Sequence, residues 1–268
     1  MLNLLKADLF RVIRTKIVYV SLILAVVLPF FVAALLWLTE TAAASLEPSM
    51  EMEPLGDTLI ANIFSPTLGF SYIFAIFPVV VILMDFGNGT IRNKVIHGYT
   101  RHQIFAAHFI VSLIYASVLT SLVAITYTLC GFLMLGVQPI GVEMIPTYLL
   151  YYFLGFLGTL MIAAIGCGLA LALSNAGAIV ITVLGILALN YLGTIFELIL
   201  TWAQVSDVEY YLSFFPSYYT SILSNCMTYR FEDGIRPFLI IETVLGIFLI
   251  SGGFYALGTF TFSKKDFK

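Results

Sequence analysis

The stretch "DFGNGTIRNKVIHGYTRHQI", Asp85 to Ile104, decides how this chain is read. Its flanks are apolar: Pro66 to Met84 carries no charge, and neither does Phe109 to Val137. Between them these twenty residues hold Arg92, Lys94 and Arg101, two of the three histidines (His97 and His102), and a single acid, Asp85. Gly87-Asn88-Gly89 is turn chemistry and breaks the apolar run before it. Thr90 or Asn88 can cap a short helix, Ile91 to His97, and Gly98 suits the C-terminus of that helix. Thr100, with Gln103 three residues on, is a capping box that starts the next long helix. The pattern predicts a compact helical elbow between two apolar helices. Ile91, Val95 and Ile96 stand exposed on it, rimmed by Arg92, Lys94 and Arg101, unless something covers them. Such a patch is either a docking surface for a partner or the face on which the elbow folds back onto its own bundle.

Composition makes the lipid bilayer the expected solvent. The chain has 268 residues, 61% hydrophobic and 10% charged, whereas soluble domains carry about 25% charged residues. A spanning helix takes about 20 apolar residues. Six stretches qualify: residues 17–38, 66–84, 109–137, 148–173, 178–201 and 238–262. Pro29 and Pro78 fall inside spans and would kink them. The expected fold class is an all-α membrane protein, a single domain over residues 1–268. A cleaved signal peptide is the rival for the first span, with Thr41 to Ser45 as a possible cleavage site. Its apolar run of 22 residues is longer than the 7–15 or so of a signal peptide. Ahead of that span, Leu2, Leu5, Leu9 and Val12 or Ile13 repeat at helical spacing, with Lys6, Arg14 and Lys16 largely off the stripe. This reads as a helix lying in the membrane interface, apolar face in the lipid and basic groups near anionic headgroups.

Charge sets the expected orientation. With the N-terminus in the cytoplasm, the inner segments carry Lys6, Arg11, Arg14, Lys16, Arg92, Lys94, Arg101, Lys264, Lys265 and Lys268, and the outer ones only Arg230 and Arg236. The positive-inside rule then places both termini in the cytoplasm of a plasma membrane. Glu40, Glu47, Glu51, Glu53, Asp57, Glu143, Asp207, Glu209, Glu232 and Asp233 all fall outside. The segment 202–236, rich in Tyr and Phe and interrupted by Pro216, reads as short helices on the outer leaflet or as a loop capping the bundle.

Several chemistries have no sequence signature here. There is no GxxxxGK[ST], HExxH or GxSxG, and no CxxC. The three cysteines, Cys130, Cys167 and Cys226, read as small packing residues. His97 and His102 are five apart, off one helical face, which disfavours a metal site. No carboxylate lies at the centre of a span, which disfavours an ion-coupled carrier. Glu197 and Glu242 sit near the outer ends of spans five and six. They read as interface anchors or, with Tyr218 and Tyr219 of the outer segment, as a substrate or outer-gate region.

The elbow itself resembles the first cytoplasmic loop of ABC-2 type permeases. That family's pattern, roughly E-x-x-x-G-T-[IL]-[RK]-x-K-[LIV]-x-x-[GP]-x-[ST]-R-x-x-[IVL], is matched by Gly89, Thr90, Ile91, Arg92, Lys94, Val95, Gly98, Thr100, Arg101 and Ile104. Asp85 stands where the family commonly has Glu. The layout of an interfacial helix, six spans and an outer segment between spans five and six is also similar. The resemblance implies a transmembrane subunit of an exporter for a hydrophobic or amphipathic peptide, antimicrobial compound or lipid. The short helix becomes a coupling helix seated in a separate P-loop ATPase that holds ATP and Mg, so this chain is neither an enzyme nor a cofactor binder. The coupling residues are then Thr90, Ile91, Arg92, Asn93, Lys94, Val95, His97 and Tyr99. Asp85, Thr100, Arg101 and Gln103 brace the elbow. A second permease subunit, alike or different, and the lipid bilayer complete the partners, with no nucleic acid. The alternative from another class is a non-transporting immunity or sensor component that binds an extracellular peptide.

Overall fold

The computed structural model describes residues 1–46, 55–64, 71–137, 145–173, 176–204, 212, 215, 218–219, 222 and 237–264. The regular elements there are helices: α1 (Leu2–Ile13), α2 (Lys16–Leu46), α3 (Leu55–Ala61), α4 (Ser71–Gly87), α5 (Thr90–Ile96), α6 (Arg101–Cys130), α7 (Ile145–Leu173), α8 (Ala176–Trp202) and α9 (Pro237–Ser263). Among the described residues there is no strand. A single π-helical turn, Gly131–Leu135, prolongs α6. Among the described residues four helices are long and apolar enough to cross a membrane: Lys16–Ala42, Arg101–Leu135, Ile145–Leu173 and Ile240–Ser263. A fifth crossing results if α4 and α5, bent by 61° at their junction, count as one broken span. The expected start of the second span before Ser71, and most of the outer segment 202–236, lie outside the described residues.

α7 is the hub. It packs against α4, α6, α8 and α9, while α2 covers the far side of α6. Its buried positions explain this, since Gly155, Gly158, Ala163, Ala164, Gly166, Cys167, Gly168 and Ala170 are small. Without a hydrophobic drive between helices in lipid, close backbone approach is what holds a bundle together. At Gly168 a Cβ would come 2.9 Å from the carbonyl oxygen of Phe254 on α9. Opposite faces carry large apolar side chains outward, Phe30 and Phe31 on α2, Leu198 on α8, Phe248 and Leu249 on α9, as a lipid-facing surface requires. Tyr115 of α6 hydrogen-bonds to the buried Ser21 of α2. The Ser21 hydroxyl already donates to the Val18 carbonyl, so the phenol is the donor.

The elbow forms as expected, with one change. α5 is capped at its start by Gly89 in the left-handed conformation (φ 65°), and no side chain caps it. The cap is therefore neither Thr90 nor Asn88. A residue free of Cβ lets the chain reverse there, and the Gly89 carbonyl accepts from Asn93 N–H at 3.0 Å. At the other end Gly98 has φ 86°. Its N–H donates to Val95 O at 3.0 Å, and Tyr99 N–H to Lys94 O at 3.3 Å, which is a Schellman stop. Thr100 and Gln103 then close both halves of the capping box that launches α6. That helix runs from Arg101 into the third apolar stretch, as the capping box predicts, so elbow and span are continuous.

Replacing Gly98 by Ala is expected to cost about 1–2 kcal/mol, the strain of a Cβ in the left-handed region. Gly87→Ala, at a position with ordinary φ and nothing within 4 Å, serves as control and is expected to be neutral or stabilising. Thermal unfolding of the two purified variants in detergent checks this; equal midpoints would show that the Schellman stop does not govern stability.

Candidate functional site: a buried ion cluster under the elbow

α1 docks on the first turns of α6 and buries Leu4, Asp8 and Val12, positions i, i+4 and i+8 on one face. The expected lipid-facing stripe is therefore corrected. Leu5 and Leu9 pack partly against the bundle core, whereas Leu2 and Ile13 turn outward with Phe10. The buried stripe contains an acid, and a buried acid is costly unless paired. Asp8, only 2% exposed, accepts from the Lys94 ammonium at 2.5 Å. Lys94 comes from α5, so the elbow reaches back across the bundle end to hold α1.

A second pair lies beside the first. Arg11 donates both terminal nitrogens to the two carboxylate oxygens of Asp85, the bidentate fork that suits guanidinium and carboxylate. Arg11 also lies 3.6 Å from Asp8. Asp85 stands in the last turn of α4, where the helix dipole disfavours an anion, so a nearby cation is needed there. His108 of α6 joins the pairs: its Nε2 is 3.0 Å from Lys94 Nζ and its Nδ1 is 3.4 Å from Asp85 Oδ2. An ammonium has only protons to give, so Nε2 accepts and Nδ1 carries the hydrogen toward Asp85. The imidazole is then neutral, and two carboxylates balance two cations. Burial pulls the Lys94 ammonium below its ordinary pKa, and the hydrogen bond to Asp8 works against that shift. Four helices thus meet in one charge-balanced cluster. Two atoms in it, Asp8 Oδ2 and Arg11 Nε, are buried without a partner among the described residues.

This geometry revises the expected roles of the elbow residues. Ile91 is 1% exposed and packs into the core with Ile104, Phe105 and Phe262, so it does not stand free for a partner. Lys94 is likewise committed inward, and Val95, Thr90 and Tyr99 are half-buried. The outer face of α5 consists of Arg92, Asn93, Ile96 (71% exposed) and His97. Of the residues expected to brace the elbow, Asp85 takes Arg11 of α1, and Arg101 donates to the Ser263 carbonyl at the end of α9. Thr100 and Gln103 brace the elbow through the capping box. The cluster also draws in Asp8, Arg11 and His108, which sequence reasoning did not single out as site residues. The available signal was Asp8 itself, lying between Leu4 and Val12 on a helical face.

At the N-terminal end of α9 the other expected group divides. Tyr218 and Tyr219 are buried and pack with Ile247 of α9 and Ile162 of α7. Tyr219 lies close enough to Glu242 for the carboxylate to act on its phenol. Glu197 stands exposed on α8. Among the described residues no group of His, Cys, Asp and Glu could hold a metal ion. Comparison with protein-family models, curated proteins and solved structures finds no match.

Lys94→Met should cost about 3–5 kcal/mol, because it strands the Asp8 carboxylate in the interior. Adding Asp8→Asn should return at least about 1 kcal/mol of that loss. Unfolding midpoints of the single and double variants measure the coupling, and strictly additive costs would rule out the pair as a functional unit.

Proposed function

We propose that this chain is the transmembrane subunit of an ATP-driven exporter of the ABC-2 type, moving a hydrophobic or amphipathic substrate such as a peptide, an antimicrobial compound or a lipid. In this reading α2, α4, α6, α7, α8 and α9 are six spans and both termini lie in the cytoplasm. Two permease subunits pair with two ATPases, and ATP and Mg belong to the ATPases. α8, 27 residues long, counts as a full span, and α5 lies under the membrane as the coupling helix.

The observation that carries the proposal is the two-sidedness of α5. Its inner face is fastened by Ile91 and Lys94, and its outer face is left bare with Arg92, Asn93, Ile96 and His97. The exposed Ile96 beside Arg92 offers one apolar and one cationic contact on the same face. A helix that receives a partner needs both. The inner attachment gives the device its leverage. A push on α5 cannot slide it over the bundle without separating Lys94 from Asp8, so α1, α4 and α6 move with it.

Arg92→Glu combined with Ile96→Asp is expected to abolish co-purification of a P-loop ATPase from native membranes, while the chain still inserts and keeps its unfolding midpoint. Undiminished ATPase recovery would remove this surface as the docking site. Recovery of the wild-type chain from those membranes with no ATPase at all would overturn the transporter reading, and capture of an extracellular peptide by the same preparation would put the sensor or immunity role in its place.

A further inference from the structure

Glu242 is the one charged residue in α9. It is half-buried, two residues into a stretch long and apolar enough to span a membrane. No ion pair between described residues involves Glu242. A carboxylate placed in such a helix without a cation marks a functional site by default.

Its neighbours strengthen the case. Thr243 is wholly buried, and its hydroxyl has no partner among the described residues. Other threonines of the same helix satisfy themselves on the backbone one turn back, Thr259 on the Tyr255 carbonyl at 2.7 Å and Thr261 on that of Leu257 at 2.9 Å. Thr243 does not use this usual outlet, and a buried orphan hydroxyl calls for an explanation. One turn further along α9, Gly246 forms a notch for the Tyr219 side chain. A Cβ there would come 2.0 Å from the phenol oxygen. Burial, and after it the Glu242 charge, push that phenol up to about 12, so it stays protonated and able to donate. Tyr218 meets Tyr219 edge-on at 5.5 Å between ring centres. Met161, Ile162 and Ile247 supply an apolar wall.

We infer that Glu242, Thr243 and Tyr219 form a binding site for the ammonium group of an amphiphile, with Tyr219 seated over Gly246 as its cover. The carboxylate neutralises the charge. The threonine and tyrosine oxygens accept the N–H groups, the tyrosine rings favour a cation nearby, and the apolar wall takes the chain of the ligand. A divalent metal ion would need more oxygen ligands than a single carboxylate brings. The site deepens the export proposal by naming the substrate class, and as an export site it rests on that proposal. Ammonium groups of this kind occur on aminophospholipid headgroups and on free amphiphilic amines alike.

The test is equilibrium binding to the full chain in neutral detergent, with no ATPase or nucleotide present. Two fluorescent probes are compared, a dansyl-labelled dodecylammonium and a dansyl-labelled dodecanoate. The ammonium probe is expected to bind saturably and at least tenfold more tightly. Glu242→Gln should weaken it tenfold or more and erase the preference, while Thr243→Val should weaken it severalfold. Gly246→Ala, which drives Tyr219 out of its notch, should weaken the ammonium probe severalfold and leave it the preferred probe. Competition by phosphatidylethanolamine but not phosphatidylglycerol would identify a lipid headgroup as the ligand; competition by short-chain amines alone would identify a free amphiphile. Equal binding of the two probes, or Glu242→Gln and Thr243→Val both binding like the wild type, would overturn the site. Because this assay contains no ATPase, its failure is distinct from failure of the transporter reading.

Discussion

The Lys94–Asp8 contact is the constraint on which the basic end of the molecule depends. Each charge in the cluster can stay buried only while its partner is in place. Asp8 fixes the rotation of α1, and Lys94 fixes the pitch of α5 against it. Arg11 then meets Asp85 at the foot of α4, and His108 of α6 fills the space between the pairs. Buried ion pairs add little net stability compared with well-packed apolar groups, yet breaking one is expensive. Their effect is therefore on position. Four helices whose apolar faces would tolerate some sliding are held in one register.

This accounts for the arrangement of the elbow. A helix of seven residues has too few turns to be stable alone. It is held at both ends by backbone devices, Gly89 at its start and the Gly98 stop at its end, and from beneath by Ile91 and Lys94. With ends and underside secured, its remaining face can be left unpacked without risk of unfolding. Rigidity beneath and exposure above come from adjacent residues, the combination that the proposed coupling role calls for.

The local parts of this design were legible in the sequence because they depend on neighbours three to five residues apart. The turn at Gly87 to Gly89, the glycine stop at Gly98 and the Thr100–Gln103 capping box are all of this kind. The direction each side chain takes was not legible in the same way. Two turns of helix can present either face, and only tertiary packing made Ile91 core and Ile96 surface. Asp85 was read as an elbow brace because it adjoins the elbow in sequence, but its partner is Arg11, 74 residues away. The stripe on α1 was misread because leucines at 2, 5 and 9 mark a plausible helical face. The face that is buried includes Asp8, a residue that hydrophobic periodicity counts against burial. Apolar length gave the helices well, since it is a property of each segment alone. Among the described residues four or five crossings meet that criterion.

The two ends of the bundle treat buried charge in opposite ways. Under the elbow, two acids meet two bases within the fold, and the sum is zero. On α9, Glu242 meets no cation among the described residues, and the hydroxyl beside it is left without a partner. The uncompensated carboxylate at the other end is the feature on which the inferred ammonium site rests. Static compensation suits a joint that must keep its shape. Incomplete compensation suits a site that must take up and release a ligand, because a site already neutral and fully hydrogen-bonded would gain nothing from binding one.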